Sequence, residues 1–117
     1  MSSEERGVLF ETLVFHELNA HIAYHGTGGE LFYWRTADGI EIDFIWKRAT
    51  KIIAIEVKSS TRWKDEFNIG FKSLLSSKIK PKACYGVYQG NEILKKEFGF
   101  VLPWKIFLKK LYEGEIF

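Results

Sequence analysis

Cysteine, proline and long apolar runs are what this sequence has least of. Cys84 is the only cysteine, so no internal disulfide can form and a reducing compartment, the cytoplasm, is expected. It sits in an apolar run and reads as a small buried hydrophobe rather than a nucleophile. With only two prolines and no low-complexity tract, long disorder is not expected. No apolar stretch approaches the roughly 18 residues that a membrane span needs. The start, Met1-Ser2-Ser3-Glu4-Glu5-Arg6, is acidic and no small-residue cleavage site follows, so no signal peptide is expected. A strong charge of either sign is also missing. The net charge of +2 and pI of about 8.6 permit a nucleic-acid partner without requiring one. The basic clusters Lys47-Arg48 with Lys51, Arg62-Trp63-Lys64, Lys78 with Lys80 and Lys82, Lys95-Lys96 and Lys109-Lys110 each have the plainer reading of a solvated turn or helix face.

What is present suffices for one packed domain over residues 1–117. Apolar residues make up 46% of the chain, with four Trp and ten Phe to fill a core. Ser2 and Glu5 form a capping-box start. The helix that follows runs to about Tyr24, with Phe10, Val14, Leu18 and Ile22 as its stripe and Leu13 and Phe15 widening it. His25 to Gly29 should stop it. Strands are expected at Leu31–Thr36, Ile40–Trp46 and Lys51–Ser59, joined by Ala37-Asp38-Gly39 and a polar turn at Lys47–Thr50 as a meander. The third, apolar on both faces, should be central. A second amphipathic helix follows from about Lys64 to Ser77, with Phe67, Phe71, Leu74 and Leu75 on its stripe, ending before Pro81. Lys82–Tyr88 is a fourth strand, Gln89-Gly90-Asn91 a turn and Phe100–Leu102 a short fifth strand. Pro103, at a first helical position, opens a last helix from Trp104 to Glu113. The order α-β-β-β-α-β-(β)-α implies an α/β fold with a mixed four- to five-stranded sheet between helices.

The chemistry is concentrated in Asp43 and Glu56-Val57-Lys58. Alternation places Ile40, Ile42, Phe44 and Trp46 on one face of the second strand, and Glu41, Asp43 and Ile45 on the other. In the third strand, Ile53, Ile55 and Val57 share one face, and Ile52, Ala54, Glu56 and Lys58 the other. The register that joins the apolar faces brings Asp43 beside Glu56, with Lys58 on the same face. Two carboxylates at that range repel unless a cation lies between them. A plain cross-strand ion network explains the same three residues. Against that stands the cost of charges interrupting an apolar central strand. Glu11 lies near the stripe of the first helix and would be a fourth member, or a helix-edge glutamate reaching water. Glu17 falls on a different helical face and reads as exposed.

Phe10-Glu11-Thr12-Leu13-Val14, Gly39 to Phe44, Ile55-Glu56-Val57-Lys58-Ser59-Ser60 and Leu102-Pro103 resemble, in order and spacing, the PD-(D/E)XK nuclease superfamily. They are similar to archaeal Holliday-junction resolvases, and more so to the nuclease-like domain at the C-terminus of prokaryotic AAA-type ATPases. The resemblance covers nearly the whole chain. It implies a restriction-endonuclease-like fold and a Mg²⁺- or Mn²⁺-dependent DNA endonuclease. Asp43, Glu56 and the Val57 carbonyl would hold the metal. Lys58 would position or activate water, and Glu11 would complete the outer shell or a second metal. It also implies an ATPase partner in cis or trans and, as in the resolvases, a homodimer. Ile42 replaces the proline of the family name, and the second helix has no Gln-x-x-x-Tyr motif. A non-cleaving DNA-binding or regulatory module of an ATPase is the alternative, and an RNA-directed hydrolase a third reading.

Weaker signals complete the inventory. Gly26-Thr27-Gly28-Gly29 lacks the Lys-Ser/Thr of a phosphate loop, and no Walker A motif occurs in the chain. His21 and His25 share a helical face but read as a polar helix end. Glu41 is a candidate third ligand or an exposed edge glutamate. Ser59, Ser60, Arg62 and Lys64 could meet a phosphate, and Trp63 could stack on a base or pack under a loop.

Overall fold

The structure, a computed structural model, describes residues 2–24 and 28–117. Ser2 caps the first helix, α1 (Ser3–Tyr24): its hydroxyl accepts the Glu5 N–H at 3.1 Å and donates to the Glu5 carboxylate at 3.1 Å. The expected helix stop at His25–Thr27 lies outside the described residues. Three strands follow, β1 (Glu30–Arg35), β2 (Glu41–Arg48) and β3 (Lys51–Val57), as an antiparallel meander. A single turn of 3-10 helix (Asp65–Asn68) leads into α2 (Ile69–Ser76). Then come β4 (Ala83–Tyr88), β5 (Leu94–Lys96), β6 (Gly99–Pro103) and α3 (Trp104–Tyr112).

The sheet order is β1-β2-β3-β4-β6-β5, with β3/β4 and β4/β6 parallel and the rest antiparallel. The result is a mixed α/β fold with six strands. The strand that the sequence reading lacks is β5, three residues with two lysines and no alternation to reveal it; it exists because it pairs with the edge of β6. The second helix is shorter than expected, because Trp63 Nε1–H bonds to Asn68 Oδ1 at 2.7 Å and the Phe67 N–H closes a tight turn on the Lys64 carbonyl at 2.9 Å. Pro103 ends β6 and stands before the first turn of α3 with extended ψ (139°), not within that turn.

Two cores lie on opposite faces of the sheet. α1 and α3 cover Phe44, Trp46, Ile53, Ile55 and Val57 with Phe10, Val14, Leu18, Phe107 and Leu111. α2 covers Ile42, Ile45, Ala54, Cys84 and Val101 with Phe71 and Leu74. Leu13 and Phe15 sit at the margin of the stripe, each 39% exposed, with Phe15 stacked on the core residue Phe44 at 5.9 Å, and buried His21 completes the inward stripe. Glu17 is not simply solvated, because it accepts a hydrogen bond from the Tyr112 hydroxyl and so ties α1 to α3. No described helix is long and apolar enough to cross a membrane.

The alternation expected for β2 fails at one point. Phe32 pairs with Ile45 but Trp34 with Ile42, so β2 carries one extra residue at Asp43-Phe44. This bulge turns Ile42 away from the face of Phe44 and Trp46 and into the core beneath α2. A bulge bends its strand and re-aims side chains, and here it falls at Asp43.

Candidate active site

β2 and β3 pair as far as Phe44 and Ile55. Beyond that point they part: Glu41 and Ile42 pair only with β1, and Glu56 and Val57 only with β4. The two carboxylates fill the fork. Asp43 Oδ2 accepts the Val57 N–H at 2.7 Å, and Glu56 Oε1 accepts the Asp43 N–H at 3.1 Å. Side chains thus satisfy backbone donors that the splayed strands can no longer satisfy themselves. Because N–H and C=O of one strand residue point the same way, the Val57 carbonyl also faces the fork. The proximity of Asp43 and Glu56 expected from register is therefore present.

The electrostatics are those of crowded acids. Glu56 is only 6% exposed. Burial, reinforced by a side-chain hydrogen bond with Asp43 and by Asp43's charge, pushes its carboxyl up to about 9, against a smaller opposing pull from Lys58. Glu11 is exposed and does not line the cleft, yet partial burial and then Asp43 raise its carboxyl, with Lys58 opposing. It stands within electrostatic reach of the fork.

The fork opens into a cleft of about 320 Å³ lined by Gly39, Ile40, Glu41, Asp43, Glu56, Lys58, Glu66, Phe67, Ile69 and Gly70. Glu41 is on its wall but exposed, held at the β1 edge by the Tyr33 hydroxyl at 2.6 Å and by Arg35 at 3.8 Å. Glu66, Phe67 and Gly70 were not anticipated here. Helical periodicity across 64–77 assigns Phe67 to a core stripe, and Phe67 does pack against the core beneath α2; from the 3-10 turn it also lines the cleft. Gly70 closes the floor: a Cβ there would come within 2.5 Å of the Glu41 carbonyl oxygen, 2.8 Å of Ile42 Cδ1 and 3.4 Å of Glu56 Oε2. The close approach of α2 to β2 requires glycine. Gly70→Ala should destabilise the fold by roughly 1–3 kcal/mol, measured by urea denaturation. An unchanged midpoint would mean that α2 is not seated against β2.

The residues suggested for nucleic-acid contact divide. Arg62 and Lys64 are exposed. Ser59 lies beside Gly7 of α1, whose Cβ would be 3.8 Å from its hydroxyl. Ser60 is engaged in its own turn, donating to the Arg62 carbonyl at 2.8 Å and accepting the Arg62 N–H at 3.1 Å. Trp63 is buried at 9% exposure among Phe67, Tyr88 and Phe98. It is a core residue, and its indole is not available to stack on a base. Cys84 is buried, with its thiol pushed up to about 11, as a structural cysteine would be.

Among the described residues, no group of three or more His, Cys, Asp or Glu side chains converges on one point. The donors that do converge are two carboxylates and one carbonyl. That set matches a hard ion that keeps several waters and takes one or two carboxylates, as Mg²⁺ does. The crowding that raises the Glu56 carboxyl is also what a divalent cation would relieve.

No curated protein matches the chain. The family described as a domain of unknown function (DUF4143) matches residues 6–107, which include most of α1, the fork, the cleft and the start of α3. The chain therefore belongs to the DUF4143 family, which is found as a C-terminal domain of AAA-type ATPases.

Proposed function

We propose that this chain is a metal-dependent DNA endonuclease domain of the PD-(D/E)XK type, with a restriction-endonuclease-like arrangement of its sheet. The observation that carries the reading is the fork, where Asp43, Glu56, the Val57 backbone and Lys58 meet at the point where β2 and β3 part. Asp43, Glu56 and the Val57 carbonyl would hold Mg²⁺ or Mn²⁺, with Glu11 at the outer edge. When bound, the ion would supply charge stabilisation at the scissile phosphate.

The chain's own groups do the rest. Asp43 and Glu56 are fixed by the backbone N–H groups they accept, so little reorganisation is needed. Lys58 carries an ammonium into the same cleft. There it orients the attacking water and donates to a phosphate oxygen. Water oxygen bonds to phosphorus, the bond to the leaving sugar oxygen breaks, that oxygen takes a proton from solvent to leave as a hydroxyl, and the proton lost from the attacking water goes to solvent. Arg62 and Lys64, exposed after β3, would meet the nucleic-acid backbone. Family membership supports an ATPase partner in cis or trans. A single buried cysteine fits a cytoplasmic setting. A homodimer would give two strands two sites.

The same membership favours one second reading, a module that binds DNA for an ATPase without cutting it. Incubation with plasmid, single-stranded and branched DNA in Mg²⁺ or Mn²⁺ separates the two. Cleavage that disappears with chelator is the expected result. Retention of DNA without a break would select the binding module.

A further inference from the structure

We propose that Phe67 is a positioning residue for Lys58, presenting its ring face so that the ammonium stays over the fork with its donors available. Lys58 is the first residue after β3, and its backbone N–H is pinned to the Val87 carbonyl at 2.9 Å. Its side chain has four rotatable bonds and loses entropy wherever it is held. No ion pair among the described residues holds it. What does meet it is Phe67, with Nζ 5.1 Å from the ring centroid.

The ring is itself well supported. The buried Trp63 packs edge-on against it at 5.3 Å and 79°. Trp63 is in turn fixed by its bond to Asn68 at 2.7 Å. It fits over β4 only because Gly86 has no side chain; a Cβ there would lie 2.7 Å from the indole. Gly86, Trp63, Phe67 and Lys58 thus form one packed series running from the middle of the sheet to the cleft. Phe67 lies in the 3-10 turn, lining the cleft while also packing against the core beneath α2.

The choice of partner matters chemically. A carboxylate at this distance would take up the ammonium's donors and neutralise its field. An aromatic face attracts the charge through its quadrupole and leaves N–H groups free toward the cleft. Lys64 lies 5.9 Å from the same ring but is exposed and outside the cleft lining, so Lys58 is the cation that the platform serves.

The catalytic consequence rests on the nuclease function proposed for this cleft, so the test has two arms. In the first, the Lys58 side-chain methylene protons are followed by NMR. Upfield ring-current shifts are expected in the wild type, lost in Phe67→Leu and kept in Phe67→Trp. In the second, single-turnover DNA cleavage in Mn²⁺ should fall about tenfold in Phe67→Leu with KM nearly unchanged, and return to within about threefold in Phe67→Tyr and Phe67→Trp. Thermal unfolding of each variant controls for folding, and the aromatic variants carry the test if Phe67→Leu does not fold. Unshifted Lys58 methylenes in the wild type, or full activity in folded Phe67→Leu, would overturn the proposal. Ring-current shifts that respond as expected in a wild type that cuts nothing would uphold the pairing and reject the nuclease function instead.

Discussion

Asp43→Asn and Lys58→Ala are each expected to reduce Mg²⁺- or Mn²⁺-dependent DNA cleavage by about 10³-fold or more while leaving the protein folded. Asparagine keeps an oxygen that can accept the Val57 N–H, which Asp43 Oδ2 now accepts at 2.7 Å. What it removes is the charge. Any loss of activity then reports on electrostatics and metal binding, not on a collapsed fork. Alanine at 58 removes the ammonium from the cleft but keeps the backbone bond to Val87. Because Lys58 is half-buried and makes no ion pair among the described residues, its truncation breaks no salt bridge and removes only a minor pull on Glu56 and Glu11, so it should cost little stability. The two variants and the wild type, prepared identically and assayed under single-turnover conditions, are the decisive comparison. Equal nicking by all three would identify a contaminant and remove the nuclease reading.

Glu56→Gln should stabilise the metal-free protein at alkaline pH, by roughly 2–4 kcal/mol at pH 8. The sign follows from the direction of the shift. Glu56 sits in the folded protein at about 9, above its ordinary value of 4.5, chiefly because it is buried. Below the ordinary value both folded and unfolded chains hold the proton and the stabilisation is fully present. Between that value and about 9 the folded chain keeps a proton that the unfolded chain has released, so stability falls as pH rises. Glutamine imitates the protonated acid: its carbonyl can accept the Asp43 N–H and its amide can face the Asp43 carboxylate. Urea midpoints of wild type and variant should therefore converge near pH 4.5 and diverge toward pH 8.5. Parallel profiles would show that Glu56 titrates normally. Added Mn²⁺ should raise the thermal midpoint of the wild type, more so at higher pH, and leave Glu56→Gln nearly unmoved.

These two experiments depend on features that differed in how far they could be read from residues alone. Opposite faces of β3 were legible because Ile53, Ile55 and Val57 alternate with Ala54, Glu56 and Lys58 at a period of two, and the cores found on its two sides follow that division. β2 was legible only in part. Its alternation is interrupted by the bulge at Asp43-Phe44, and a bulge is a property of how β2 meets β1, not of β2 itself. At 64–77 the helical spacing of Phe67, Phe71 and Leu74 was a true sign of one shared core, but not of one continuous α-helix. Trp63's anchorage over Gly86 and its bond to Asn68 accompany a first turn that is 3-10, from which Phe67 also reaches the cleft. Trp63 itself, flanked by Arg62 and Lys64, had the local appearance of a nucleic-acid contact, and only packing revealed it as core.

By itself the sequence determined the order of elements apart from β5, the central position of β3 and the approach of Asp43 to Glu56, since all three follow from local periodicity and a short hairpin. Tertiary structure alone decided that β2 and β3 part at this pair and that two backbone N–H groups hold the carboxylates. It also decided that α2 closes the cleft through Gly70 and that Lys58 rests on Phe67. Those features arise between segments distant in the chain. Their energies are contact energies between surfaces, and no pattern within one segment encodes the partner it will meet.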